Sequence, residues 1–354
     1  RTEEGRTVAI DNPSAPTGVR KPPTLYDVAA LAGVSHQTVS RLVKGHTNIR
    51  PEIRERVEAA ISALNYKPNL VARSLATAKS HRIGALFFDR LDEVGPTRSV
   101  QAASDRAREA GYLLDIVGLD PRAISEIDKA IELVSQGDVA GIMVFAPTDA
   151  VLTAVLKARF SVPVYIESDT VRPIDKKRPT ANALGTRMAT EHLADLGHRR
   201  FVHIAGPLDW FAARARRDSY DQVIAMRNLE SIGVYEGDWS PQSGYEAALR
   251  IPHDAGVTAI VTGNDQMALG VLMALRERGL SVPEDISVVG FDDIPESRFF
   301  HPPLTTVRID FDRQGAFAME RLLEMIDPEI NVRPTDPLVA ELVLRGSSAA
   351  APIG

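Results

Sequence analysis

Apolar and polar positions repeat with two different periods along this chain, and the change falls near residue 83. Before it the spacing is helical. Leu25, Val28, Ala29 and Leu31 place one face of a short helix inward, Gly33 permits a sharp turn, and Ser35 caps a second helix running through Arg41 and Val43. Two helices joined by so short a turn predict a helix-turn-helix. Pro51 at a first helical position, followed by Ile53, Val57, Ala60, Ile61 and Leu64, predicts a third helix over 51–65 that closes a miniature core. The segment 69–77 is shorter than the roughly 12–15 residues at which an isolated helix becomes stable in water, so it is expected to be helical only when docked.

From Ile83 onward, short apolar runs alternate with helical segments. Strands are predicted over 83–88, 113–117, 141–145 and 164–166, with helices over 100–110, 124–136 and 150–158 between them. The pattern then restarts, with helices over 185–196, 212–228 and 266–278 and strands over 201–205, 259–262 and 287–290. Strands this apolar are expected to be buried on both faces, as parallel sheets require. The predicted fold is an all-α helix-turn-helix headpiece followed by an α/β core of two doubly wound parallel-sheet subdomains with one cleft between them.

Composition narrows the chemistry. A chain of 354 residues with 44% apolar content can bury a large core and suggests two or three domains. It contains no Cys, which excludes disulfides, thiolate metal sites and a Cys nucleophile. Residues 1–23 carry no long apolar run and are rich in Pro, Thr and charge, so a disordered arm is expected there rather than a signal peptide or a membrane span; the cytoplasm fits best. The net charge of −6 taken alone argues against a nucleic-acid partner. Its distribution reverses the argument: residues 20–82 hold eleven Lys or Arg against four acids, a local +7 that leaves −13 on the rest. A basic module coinciding with a helix-turn-helix pattern is an electrostatic footprint for phosphate contacts.

In open α/β sheets ligands bind beyond the carboxyl ends of strands. The residues there are Phe88 and Asp89, Phe145 and Ala146, residues 167–169, residues 206–210, Asn264 and Asp265, and residues 291–293. With Arg214, Arg216 and Trp239 nearby, this mixture of carboxylates, amide, guanidinium and rings suits a hydroxyl-rich small molecule. Phe88, Phe145 and Phe291 are equally readable as core, and Asp293 or Arg214 as members of structural ion pairs. Enzyme readings find little support. No HExxH, nucleophile elbow or P-loop is present, SQGDVAG does not match a dinucleotide fingerprint, and the eight His form no metal-spaced cluster.

The strings TLYDVAALAGVS, QTVSR, LNYKPN and VARSLA resemble the headpiece of the LacI/GalR family of bacterial transcriptional repressors. HIAGPLDW, EGDWSPQSGY, TGNDQMALG, DISVVGFDD and PPLTTVRIDF resemble the effector-binding core of the same family, which is similar to periplasmic sugar-binding proteins. The resemblance implies a DNA-contacting set of Thr24, Leu25, Tyr26, Ser35, His36, Gln37, Thr38, Ser40, Arg41 and Asn48. His36 and Gln37 stand at the two positions that largely set operator preference. It also implies a hinge helix in the minor groove carrying Asn69, Ala72 and Leu75; on the residues alone, Leu75 is readable as a wedge between base steps with Arg73 reaching phosphate or groove edge, or the segment as an ordinary linker with a buried leucine. The expected effector set is Phe88, Asp89, Phe145, Asp169, Trp210, Arg216, Trp239, Asn264, Asp292 and Phe311; Glu167 and Ser168 compete with Asp169 for one position. Phe88, Phe145 and Ile309 replace polar groups found at this pocket in a sugar-binding member, and Thr180 replaces a ring.

The expected organisation is an arm over 1–23, a helix-turn-helix domain over 24–68, a hinge helix and linker over 69–82, an effector-binding and dimerisation core over 83–346, and a tail over 347–354. Within the core the first subdomain takes about 83–180 and 310–336, and the second about 181–309 and 337–346. The expected function is a sequence-specific DNA-binding regulator, a repressor released from its operator by a sugar or glycoside. A corepressor-dependent member and a sugar-binding transport-type protein are the alternatives. Partners are operator DNA, the effector and a second copy in a homodimer, since no heptad extension follows LVLRGSS. No enzyme activity, cofactor, metal or membrane association is expected.

Overall fold

The computed structural model describes residues 23–43, 49–66, 80–87, 94–120, 123–168, 179–329 and 340–352. Asn48, Phe88, Asp89, Asp169 and the segment bearing Asn69, Ala72, Arg73 and Leu75 lie outside the described residues. The chain divides into two compact units, residues 1–79 and 80–354.

The first unit contains α1 (Leu25–Ala32), α2 (His36–Val43) and α3 (Pro51–Ala63). Thr24 and Asp27 form a reciprocal capping box on α1. The Ser35 hydroxyl accepts the Thr38 N–H at 3.2 Å, so the expected cap opens α2. Gly33 between them has φ +62°, and a Cβ there would stand 2.7 Å from the Arg56 guanidinium. That guanidinium, reaching from α3, donates to the carbonyls of Ala32 and Gly33 and so ties the turn to the third helix. Val28, Ala29, Ala32, Val39, Val57 and Ala60 form the core. Leu31, expected inside, is instead 56% exposed. Ala32, lying four residues after Val28 and three after Ala29, shares their face, and its small side chain lets α3 approach closely.

The second unit holds two sheets. β1 (Arg82–Phe87), β2 (Leu113–Gly118), β3 (Gly141–Phe145) and β4 (Val164–Glu167) run parallel in the order β2-β1-β3-β4. Against one face pack α4 (Val94–Glu109) and α11 (Phe311–Ile326), where Ala103, Ala107, Met319 and Leu322 meet Ile83 and Met143. Against the other pack α5 (Ile124–Gln136) and α6 (Asp149–Lys157), where Ile127, Ile131, Val151 and Val155 meet Leu86, Ile142 and Val144. β2 departs from the expectation of two buried faces. It is an edge strand with Leu113 and Ile116 exposed, because only β1 pairs with it.

The second sheet comprises β5 (Arg200–Ala205), β6 (Glu230–Glu236), β7 (Ala259–Thr262), β8 (Ser287–Asp292), β9 (Thr305–Ile309) and β10 (Ala340–Val343) in the order β10-β9-β8-β7-β5-β6. All neighbours are parallel except β10, which runs antiparallel to β9. α7 (Ala181–Asp195) and α8 (Phe211–Met226) cover one face through Leu193, Tyr220 and Phe291. α9 (Pro241–Leu249) and α10 (Asp265–Glu277) cover the other through Ala247, Val271, Leu275 and Val288. β6, α9, β9, α11 and β10 extend the pattern predicted from sequence. The residues after Gly346, expected as a tail, are partly built into this sheet: Ser347 is fully buried, its hydroxyl donating to the Val288 carbonyl and accepting the Thr305 N–H. Among the described residues no helix is long and apolar enough to cross a membrane.

Candidate functional site

The carboxyl ends of strands from both sheets meet around a cavity of about 170 Å³. Phe87, Phe145, Glu167 and Ser168 come from the ends of β1, β3 and β4, while Asn264, Asp292 and Ile309 come from the ends of β7, β8 and β9. Helix starts supply the remainder, including Asn182 on α7, Trp210 and Phe211 at α8, and Phe311 and Gln314 on α11. Of the expected effector set, Phe145, Trp210, Arg216, Trp239, Asn264, Asp292 and Phe311 line this one cavity.

Arg216 is the most heavily engaged of them. It is only 7% exposed, yet donates to Asn182 Oδ1 at 2.9 Å, to Asp292 Oδ1 at 3.4 Å and to the Gly263 carbonyl. Its guanidinium also lies 3.7 Å from the Phe291 ring centroid and 5.3 Å from that of Trp239. Cation–π contact and hydrogen bonds thus fix a buried charge in one geometry. Phe291 itself is core, as its alternative reading held, with its ring under Arg216 rather than at the cavity wall.

Trp239 adopts φ +71° and stands against Gly206, where a Cβ would fall 2.2 Å from the indole. No other residue type leaves room for that ring. The Trp210 ring meets it edge-on at 5.9 Å. Among the described residues the buried Trp239 indole N–H meets no hydrogen-bond partner. Asn264 caps α10: its Oδ1 accepts the Met267 N–H at 2.8 Å and its amide donates to the Trp239 carbonyl at 3.0 Å.

Burial pushes the Asp292 carboxyl up to about 6, against the opposing pull of Arg216. A ligand hydroxyl donating to this group is held more strongly by the ionised carboxylate than by the protonated acid. Affinity for such a ligand is therefore expected to rise with pH up to about 6 and then level off, and to fall by as much as tenfold per unit below it. A titration between pH 5 and 8 measures this; a flat profile removes Asp292 from the contact. Asp293 behaves oppositely. Burial opposes its ionisation, but Arg345 and Arg308, at 2.5 and 2.8 Å, outweigh it and hold the carboxyl below its ordinary range. It belongs to a structural ion cluster with Arg308, Arg345 and Glu341, while Arg214 makes a separate pair with Asp149 at 2.8 Å.

Asn182 and Gln314 had no sequence signal. Each stands on the first turn of a helix, and only the folded chain brings them to the cavity; Gln314 donates to Glu167 at 3.3 Å. The two lobes also touch beside the cavity, where the Phe211 N–H donates to the Pro147 carbonyl at 2.8 Å and Trp210 forms a lone antiparallel bridge with Thr148.

In the headpiece, His36, Gln37 and Arg41 are exposed on α2, with Thr38 and Ser40 half-buried between them. Thr24 and Tyr26 are exposed, Leu25 is half-buried, and the Tyr26 ring lies 5.2 Å from that of His36. This surface offers amide, guanidinium and ring groups on a helix thin enough for a major groove.

Comparison with known proteins joins the two units. The family model for bacterial regulatory proteins of the lacI family matches residues 24–69, and that for a periplasmic binding protein-like domain matches residues 190–348. The lactose operon repressor of Escherichia coli (strain K12) is 36% identical over 333 residues, 93% of this chain and 92% of that protein. A lac repressor dimer bound to operator and the anti-inducer ONPF superposes with a TM-score of 0.81 at 36% identity, covering 93% of this chain and all of that one. The lac repressor bound to ONPG in its repressed state gives 0.80 at 35%, with the same coverage. A helix-turn-helix headpiece, a two-lobed body and this extent of identity place the chain in the LacI family of bacterial regulatory proteins.

Proposed function

We propose that this chain is a transcriptional repressor whose hold on operator DNA is set by a sugar or glycoside bound between the two lobes of its body. The observation that carries the reading is the buried Arg216–Asp292 pair bracketed by Trp239 and Phe291. A fork-like cation and a carboxylate beside an indole match a sugar, whose paired hydroxyls bind the charged groups while its C–H face stacks on the ring. Asn182 and Gln314 add amide side chains to the lining of the same cavity.

DNA contact is assigned to the exposed row His36, Gln37 and Arg41 on α2, supported by Thr24, Tyr26 and Ser35. A dimer presents two such helices to successive major grooves of a near-palindromic site. Leu269 and Met273, one turn apart on α10 and both exposed, supply apolar surface for a second copy. Residues 69–82 connect the reader to the body, so a change in lobe packing reaches the DNA through them. The typical coupling between two sites, about 1–3 kcal/mol, suffices to change operator affinity by one to two orders of magnitude. Such a repressor works in the cytoplasm.

The test has two arms. The purified chain is expected to bind DNA from upstream of its own gene, with affinity falling roughly a thousandfold from 50 to 200 mM salt. A thermal-shift screen of sugars and glycosides is expected to raise the melting temperature with at least one of them, because a ligand of the folded state stabilises it. That sugar should also alter operator affinity. Absence of a specific complex, or sugar binding without any change in operator affinity, defeats the proposal.

A further inference from the structure

We propose that Asp265 is a positioning residue for the cleft: with Asn264 it holds the two backbone segments on which Trp239 and Asp292 stand. The inference rests on reading the cleft as the effector site. Trp239, Asp292 and Asp293 adopt φ of +71°, +104° and +51°, a region that residues with a Cβ rarely occupy. Such conformations persist only where the surroundings over-determine them.

One helix start supplies the restraint on both sides. Asp265 is fully buried, and its Oδ2 accepts the Ile294 N–H at 3.0 Å, the first amide after the two positive-φ aspartates. Its Oδ1 accepts the Thr306 hydroxyl of β9, the strand beside β8. A Cβ on Gly290 would lie 2.2 Å from that same oxygen, so the carboxylate packs directly on the strand that ends in Asp292. One residue earlier, Asn264 donates to the carbonyl of Trp239. An acidic residue in the first turn of a helix ordinarily serves that helix by facing its free amides. Here both oxygens accept from other elements, which is the arrangement of a brace.

The experiment compares Gly with Ala at position 292, so that loss of the carboxylate is common to both and only backbone freedom differs. Away from positive φ, Gly is the less stable of the two. In the parent background, Asp292→Gly is expected to melt several degrees above Asp292→Ala. Adding Asp265→Ala frees the segment to relax and is expected to abolish that gap. Asp265→Asn, whose amide can accept from Ile294 and donate to Thr306, is expected to restore it. If Asp265→Ala does not fold, Asp265→Ser replaces it, since its short hydroxyl leaves the Ile294 N–H unheld. A gap of equal size with and without the Asp265 carboxylate, or no gap in the parent background, overturns the proposal. With position 292 intact and ONPG as the probe, affinity is expected to fall at least tenfold in Asp265→Ala and to recover in Asp265→Asn. Failure of the parent chain to bind any sugar counts against the effector reading, while the melting series still decides the role of Asp265.

Discussion

Replacing Arg216 by Ala is expected to lower the stability of the body by about 3–5 kcal/mol and to eliminate sugar binding. Arg216 is 7% exposed, and its removal leaves Asp292 Oδ1, Asn182 Oδ1 and the Gly263 carbonyl without the donor that now serves all three. The carboxylate suffers most, because burial already disfavours its charge and Arg216 is what opposes that. The vacated volume between Phe291 and Trp239 adds the loss of two ring contacts. Arg216→Lys is expected to recover little, since Arg216 meets its three acceptors through three separate nitrogens of one rigid plane, whereas the donors of an ammonium radiate from a single atom. Adding Asp292→Asn to Arg216→Ala should return part of the stability by removing the stranded charge, though none of the sugar affinity. Urea unfolding and ligand titration on the three variants measure this. A loss below about 1 kcal/mol for Arg216→Ala would show that the site is loosely built and the energetic account wrong.

The second large effect lies in the headpiece. Val39→Asp is expected to unfold the three-helix unit and reduce operator affinity at least a hundredfold, while leaving sugar binding and the melting of the body unchanged. Val39 is fully buried in a core of six small or medium side chains. A unit this size buries a small share of its surface and has little stability to lose, so one unpaired carboxylate inside it is decisive. Residues 1–79 and 80–354 form separate compact units, which is why the damage should stay local. Fluorescence anisotropy on labelled operator and calorimetry on the same sample report the two halves. Operator affinity within a few-fold of the parent, or a lowered melting temperature of the body, would contradict this independence.

Legibility in the sequence followed how local each signal is. Gly33, Ser35 and Pro51 punctuate the headpiece through their own backbone and side-chain chemistry, and the helices start and stop where they stand. Leu31 was misplaced because a helix of eight residues offers two overlapping apolar stripes, and α3 with its Arg56 chooses between them. The strand-end rule located Phe145, Asn264 and Asp292 because buried parallel strands announce themselves as apolar runs. β6 did not announce itself, since half its residues face solvent at the sheet edge, and β10 joins its sheet only by antiparallel return. Asn182 and Gln314 depend on long-range chain return and carry no local mark. Asp265 was visible as a strand-end residue, but its work is defined by Ile294 and Thr306, which distant turns bring to it.

Trp210 and Trp239 are the only two tryptophans among 354 residues, and they stand edge to face in the cleft. Every ultraviolet photon absorbed by an indole in this protein is therefore absorbed at the place where a ligand would sit. The chain carries its own optical gauge of occupancy, readable without dye, label or added reporter. Its emission can be followed while DNA, which does not fluoresce at those wavelengths, is present in the same cuvette.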